Sequence, residues 1–238
     1  MSFGLGRGRA LDPGRIGVDA EALPPLPDGP SADTDTARLD PRRWFPHPER
    51  PFEIEIGSGK GAFLLQQAAM KPATNYLGVE WAREFYAYTA DRVRRRGLEN
   101  VRVLHADATE FLRWRVPDAV VSVVHLYFSD PWPKARHHKR RVLTDSFLIE
   151  AHRTLVPGDN GTEAGAGELR IVTDHDDYWE WMEERFVRHA PPDGSGLFER
   201  VPFEPPESAG GGEVVGTNFE RKYAREGRPF HATTLRRR

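Results

Sequence analysis

From residue 52 onward, apolar positions fall into short runs separated by longer amphipathic stretches. Phe52-Glu53-Ile54-Glu55-Ile56 alternates with a period of two, which predicts a strand. A helix follows over Ala62 to Met70, stopped by Pro72. Tyr76 to Glu80 reads as a strand, and Ala82 to Arg96 as a charged helix ending at Gly97. Val101 to His105 is a strand and Thr109 to Trp114 a short helix. Val120 to Phe128 is nearly all apolar and rich in β-branched residues, the pattern of a strand covered on both faces. Thr144 to Leu155 predicts a helix, Leu169 to Thr173 a strand and Tyr178 to His189 a helix. Phe198 to Phe203 and Phe230 to Leu235 read as two strands flanking the Tyr223 region. Such alternation predicts an α/β domain with a mainly parallel sheet.

Residues 1–51 behave differently. They hold nine of the 20 prolines and show little apolar periodicity. They read as a flexible arm, and 52–238 as the folded domain, with mobile insertions near 158–167 and 205–216. Gly4 to Arg9 is glycine-rich, but no strand precedes it, so it reads as a basic arm rather than a phosphate loop.

The first strand runs into Gly57-Ser58-Gly59-Lys60-Gly61 and then a helix, a turn that lets a ligand approach the backbone. A P-loop requires Ser or Thr after Gly-Lys, and here Gly61 follows. A dinucleotide fingerprint survives only in its relaxed form, with Ala62 in the third glycine's place. The acids at successive strand ends separate the remaining ligands. Glu55, Glu80, Asp107 and Asp130 are 25, 27 and 23 residues apart, one strand–helix unit each. The spacing predicts four carboxylates on the carboxyl edge of the sheet, where open α/β sheets bind ligands. Such an edge repels a pyrophosphate and suits the sulfonium, ammonium and ribose hydroxyls of S-adenosylmethionine. Any one of these acids alone would read as a helix cap.

Asp130-Pro131-Trp132-Pro133 is a turn stiffened by two prolines that presents a carboxylate and an indole. The carboxylate suits the N1–H and N2–H2 donors of guanine, and the indole suits stacking. Lys134-Ala135-Arg136-His137-His138-Lys139-Arg140-Arg141 follows, with five Lys or Arg and no acid. Charge runs often mark a solvated face, but this position suits a phosphate backbone. The adjacent histidines lack an acid at ligand spacing, so no metal site is expected.

The net charge of −2 alone speaks against a nucleic-acid partner. Its distribution does not. Residues 134–141 carry +5 and residues 221–238 carry +6, leaving −13 for the rest. The absence of cysteine excludes disulfides, thiol nucleophiles and Cys-ligated metals. No 20-residue apolar run and no signal-peptide pattern occur, so a cytoplasmic protein without membrane association is expected.

From Glu53 to about Leu235 the chain resembles the bacterial tRNA (guanine-N7-)-methyltransferases. The resemblance rests on Asp130 to Arg141, on Thr217-x-Phe219-Glu220, and on Glu55-Ile56-Gly57-x-Gly59-x-Gly61. It implies a Rossmann-like class I methyltransferase, with a seven-stranded, mostly parallel sheet and helices on both faces. It implies that Glu55, Gly57, Gly59, Gly61, Glu80, Asp107 and Asp130 bind S-adenosylmethionine. Asp130 would be the active-site carboxylate at donor and base. Lys134, Asp174, Thr217, Asn218, Phe219 and Glu220 would bind substrate, and Arg136, His137, His138, Lys139, Arg140 and Arg141 would contact tRNA. The implied reaction methylates N7 of a variable-loop guanine. The alternatives are the same fold acting on another RNA, a protein or a small molecule, or a non-catalytic RNA-binding protein with this core.

Overall fold

The computed structural model describes residues 5, 10–25, 38–159 and 165–238. Most of the Gly4 to Arg9 stretch, part of the proline-rich arm (26–37) and part of the 158–167 insertion (160–164) lie outside them. The chain divides into two compact units, Met1–Pro117 and Asp118–Arg238.

The first unit contains β1 (Gly17–Asp19), β2 (Phe52–Ile56), α1 (Ala62–Met70), β3 (Asn75–Glu80), α2 (Arg83–Arg95), β4 (Val101–His105) and α3 (Ala108–Trp114). Its strands run parallel in the order β1-β4-β3-β2. β3 is buried along its whole length, and β2 and β4 nearly so. Burial without alternation is what a parallel sheet covered on both faces requires. Leu64, Leu65 and Ala68 of α1 and Ala90 and Val93 of α2 pack with Tyr76, Val101 and Val103 into one apolar cluster.

Ile16 joins that cluster from the proline-rich stretch read as an arm. β1 pairs with β4 beside it, Gly17 opposite Val103 and Asp19 opposite His105. One buried anchor and a close approach replace the missing periodicity. A Cβ at Gly17 would stand 2.5 Å from the Tyr86 hydroxyl and 2.6 Å from Pro13 Cβ. The described residues therefore hold eight strands where seven were expected, β1 being the one the pattern did not predict.

The second unit contains β5 (Val123–Tyr127), α4 (Asp145–Thr154), β6 (Glu168–Thr173), α5 (Asp176–His189), β7 (Phe198–Val201), α6 (Asn218–Arg225) and β8 (His231–Arg237). β5 and β6 are parallel, and β8 lies antiparallel between β6 and β7. α6 spans the Tyr223 region, between the two strands read from the sequence. Thr217 caps it, its Oγ1 accepting from the Glu220 N–H at 3.0 Å. The Glu220 carboxylate reaches back to accept from the N–H groups of Val214, Val215 and Gly216. This is a variant of the capping box, and it ties down the end of the 205–216 stretch.

Candidate functional site

In the first unit the glycine loop joins β2 to α1. Gly57, Gly59 and Gly61 have φ of +74°, +51° and +66°, left-handed values that favour glycine. Gly61 has a second constraint, because a Cβ there would stand 2.4 Å from Thr89 Cγ2. At Gly57 a Cβ would meet nothing, so there is room beside the loop. Thr89 donates to the Gly59 carbonyl at 2.8 Å. Glu80 accepts from the Gly59 N–H at 2.7 Å and from the Ala82 N–H at 2.8 Å. The second strand-end acid thus braces the loop from the neighbouring strand.

Glu55 is 5% exposed, and its Oε2 has no hydrogen-bond partner. The Ser58 hydroxyl is also buried and unpartnered. Burial, and then repulsion from Glu80, raise the Glu55 carboxyl well above the usual range. An unpaired buried carboxylate is costly and fits a cationic ligand. A raised folded-state pKa contributes stability that is full below the unfolded value and lost as pH rises through the folded one. Glu55→Gln is therefore expected to raise Tm near pH ~8, with a much smaller gain near pH ~4. Calorimetric melts at both pH values check this; equal Tm values near pH ~8 would contradict it.

Asp107 caps α3, accepting from the Thr109 N–H at 2.8 Å and the Glu110 N–H at 3.1 Å. It also lines a cavity of about 390 Å³ beyond the ends of β3 and β4, with Trp81, His105, Phe111 and Arg115. His105 holds the Trp81 carbonyl at 3.1 Å. Trp81 itself is 73% exposed, a large apolar face at the cavity.

In the second unit the exposed Asp130 follows β5. Its turn is flanked by Phe128 and Trp132, non-glycine residues with φ of +52° and +45°. Such conformations persist only where the surroundings enforce them. Arg141 supplies one restraint. Its Nε donates to the Pro131 carbonyl at 2.7 Å, and its Nη2 donates to Asp177. Its guanidinium lies 5.0 Å from the Tyr178 ring centre and 5.1 Å from that of Trp181. At 2% exposure, Arg141 is buried beneath the turn, a placement that does not suit the RNA contact read for it from the sequence. Lys134, Arg136, Lys139 and Arg140 are exposed, while His137 and His138 are half-buried. The Arg140 guanidinium lies 4.9 Å from the Trp132 ring centre, and the His137 ring meets that indole edge-on at 5.7 Å.

The other expected substrate residues divide. Thr217 and Glu220 are buried and spend their polar atoms on the cap and loop, whereas Asn218 and Phe219 are exposed. Phe219 stacks on Tyr223 at 6.1 Å, and Tyr223 packs against Phe128 at 6.0 Å. Asp174 pairs with Arg228 at 2.6 Å, and that guanidinium lies 4.2 Å from the Tyr223 ring centre. The second unit thus groups Phe128, Asp174, Phe219, Tyr223 and Arg228. Burial, and then the Asp174 charge, raise the Tyr223 pKa. Tyr223, Arg228 and Trp81 were not singled out from the sequence. Only Trp81 had a usable signal, an aromatic directly after a strand-end acid.

A family profile described as "Putative methyltransferase" matches residues 49–232. A tRNA (guanine-N(7)-)-methyltransferase from Halorhodospira halophila is 36% identical over 182 residues, 76% of this chain and 72% of that protein. The chain belongs to this methyltransferase family. Proteins of the same name from Alkalilimnicola ehrlichii and Streptococcus thermophilus are 39% and 31% identical, over 74% and 77% of this chain and 68% and 79% of theirs. Among solved structures, the aminoglycoside resistance methyltransferase NpmB1 matches with a TM-score of 0.51 at 17% identity, covering 79% of this chain and 88% of that one. That likeness concerns the class I methyltransferase fold of this family member. Among the described residues, no group of three or more His, Asp or Glu is placed to hold a metal ion. No helix among them is long and apolar enough to cross a membrane.

Proposed function

We propose that this protein transfers the methyl group of S-adenosylmethionine to N7 of a guanine in the variable loop of tRNA, forming 7-methylguanosine in the cytoplasm. The observation that carries the reading is the strained Asp130 turn, which runs directly into an exposed basic 3-10 helix, Ala135–Arg140. Both lie within the stretch matched by the family. When bound, S-adenosylmethionine supplies an electrophilic methyl carbon on a sulfonium. Glu55 would hold its ammonium, the glycine loop would let it approach the backbone, and Asp107 would meet its adenosine end from the cavity that it lines.

Guanine N7 carries a lone pair and no proton, so its attack needs no deprotonation. The protein's contribution is to align the reacting atoms and oppose the charge that grows on the purine. Asp130 accepts from the guanine N1–H and N2–H2 and supplies the opposing negative charge. A tRNA carrying 7-deazaguanine at the target position lacks the attacking lone pair. It is expected to bind but accept no methyl group, and methylation of it would overturn the N7 assignment.

The exposed cations hold the phosphate backbone. Replacing Arg136, Lys139 and Arg140 together by Ala is expected to flatten the slope of log affinity for tRNA against log salt by roughly two to three. An unchanged slope would return this helix to a merely solvated face. Calorimetry with S-adenosylmethionine addresses the rival non-catalytic RNA-binding reading, which predicts no donor binding.

A further inference from the structure

The cavity of the first unit has a wall built by residues that precede the family match. Asp19, Glu21 and Leu23 line it together with Trp81, Asp107 and Phe111. This wall is held in place by specific contacts. β1 sets Asp19 beside His105, and Asp19 accepts from the Glu21 N–H at 3.4 Å to start the 3-10 helix Ala20–Ala22. Arg83 and His105 approach the Asp19 carboxylate at 3.6 and 3.8 Å. Beyond the helix, Arg115 donates to the Pro24 carbonyl.

The lining chemistry limits the ligand. Leu23, Phe111 and the Trp81 face provide apolar contact for a flat ring. Asp19, Glu21, Asp107 and Glu110 accept hydrogen bonds, and as four acids against the one arginine of the lining, Arg115, they disfavour phosphate. An uncharged purine nucleoside, with an amino group and a ribose diol to donate, meets both conditions. We infer that residues 17–23 form a binding wall for the adenosine end of the methyl donor. The donor reading proposed above underlies this inference. The N-terminal segment is then part of donor recognition and not only a linker.

Calorimetry on the full chain, with S-adenosylhomocysteine and 5′-methylthioadenosine as probes, tests the wall. The second probe lacks the ammonium and carboxylate, so it isolates the adenosine end. Glu21 is exposed and Leu23 half-buried, so replacing both by Ala spares the core. This double variant is expected to bind both probes roughly tenfold more weakly. Amide hydrogens of residues 18–23 in the unsubstituted protein are expected to exchange more slowly when either probe is bound. Gly17→Val pushes β1 off Tyr86 without altering the lining, and it is expected to lose a similar factor. Should that variant not fold, the double variant decides. Unchanged affinities with no added protection overturn the wall while leaving the donor reading intact. An unsubstituted protein that binds neither probe overturns the donor reading itself.

Discussion

Asp130→Asn is expected to lower turnover on tRNA by about two to three orders of magnitude. Donor affinity should change by no more than about twofold, since the donor reading rests on Glu55, the glycine loop and the cavity of the first unit. The size follows from what the exchange removes. As N7 attacks, positive charge grows on the purine, and Asp130 offers a full negative charge that Asn lacks. The Asn amide also presents donors where guanine N1–H and N2–H2 require acceptors. The carboxylate is exposed, and its turn is set by backbone conformations at Phe128 and Trp132 that the substitution does not touch. Loss of activity with an unchanged melting profile would therefore report chemistry rather than folding. Single-turnover methylation with saturating donor measures it. Near-normal turnover would remove Asp130 from the reacting centre.

Arg141→Ala is expected to destabilise the protein by about 2–4 kcal/mol and to reduce turnover as well. The side chain fixes the Pro131 carbonyl, pairs with Asp177 and lies against Tyr178 and Trp181. Removing it opens a gap under the turn and frees Trp132 to leave its positive φ. Arg141→Lys retains the charge but cannot make both directed bonds, so it should recover only part of the loss. Denaturant unfolding measures stability. Turnover well below the melting temperature, at saturating donor, separates misplacement of Asp130 from global unfolding. If stability were unchanged and only the salt dependence of tRNA binding fell, Arg141 would be a surface RNA contact after all.

The α/β alternation was legible because periodicity follows from burial, and burial sets the strands and helices of both units. The loop glycines and the strand-end acids were legible because backbone conformation and sheet edges constrain them directly. Other features depend on partners distant in sequence. Arg141 looks like its neighbours in the basic run, and only Tyr178 and Trp181, some forty residues on, draw it inward. β1 rests on one isoleucine and one close glycine approach, too little to produce a pattern. Glu220 has the spacing of a cap, Thr217-x-x-Glu220, and that signal for α6 was available in the sequence. Arg228 reaches Asp174 across 54 residues, a pairing that no local pattern carries.

The position of the transferred methyl group decides between this function and its rivals. It is read by incubating purified protein with unmodified bulk tRNA and methyl-labelled S-adenosylmethionine, followed by digestion and mass spectrometry of fragments and nucleosides. Label is expected in 7-methylguanosine at one variable-loop guanine. Label in any other nucleoside, or none in tRNA when the donor is bound, would contradict it.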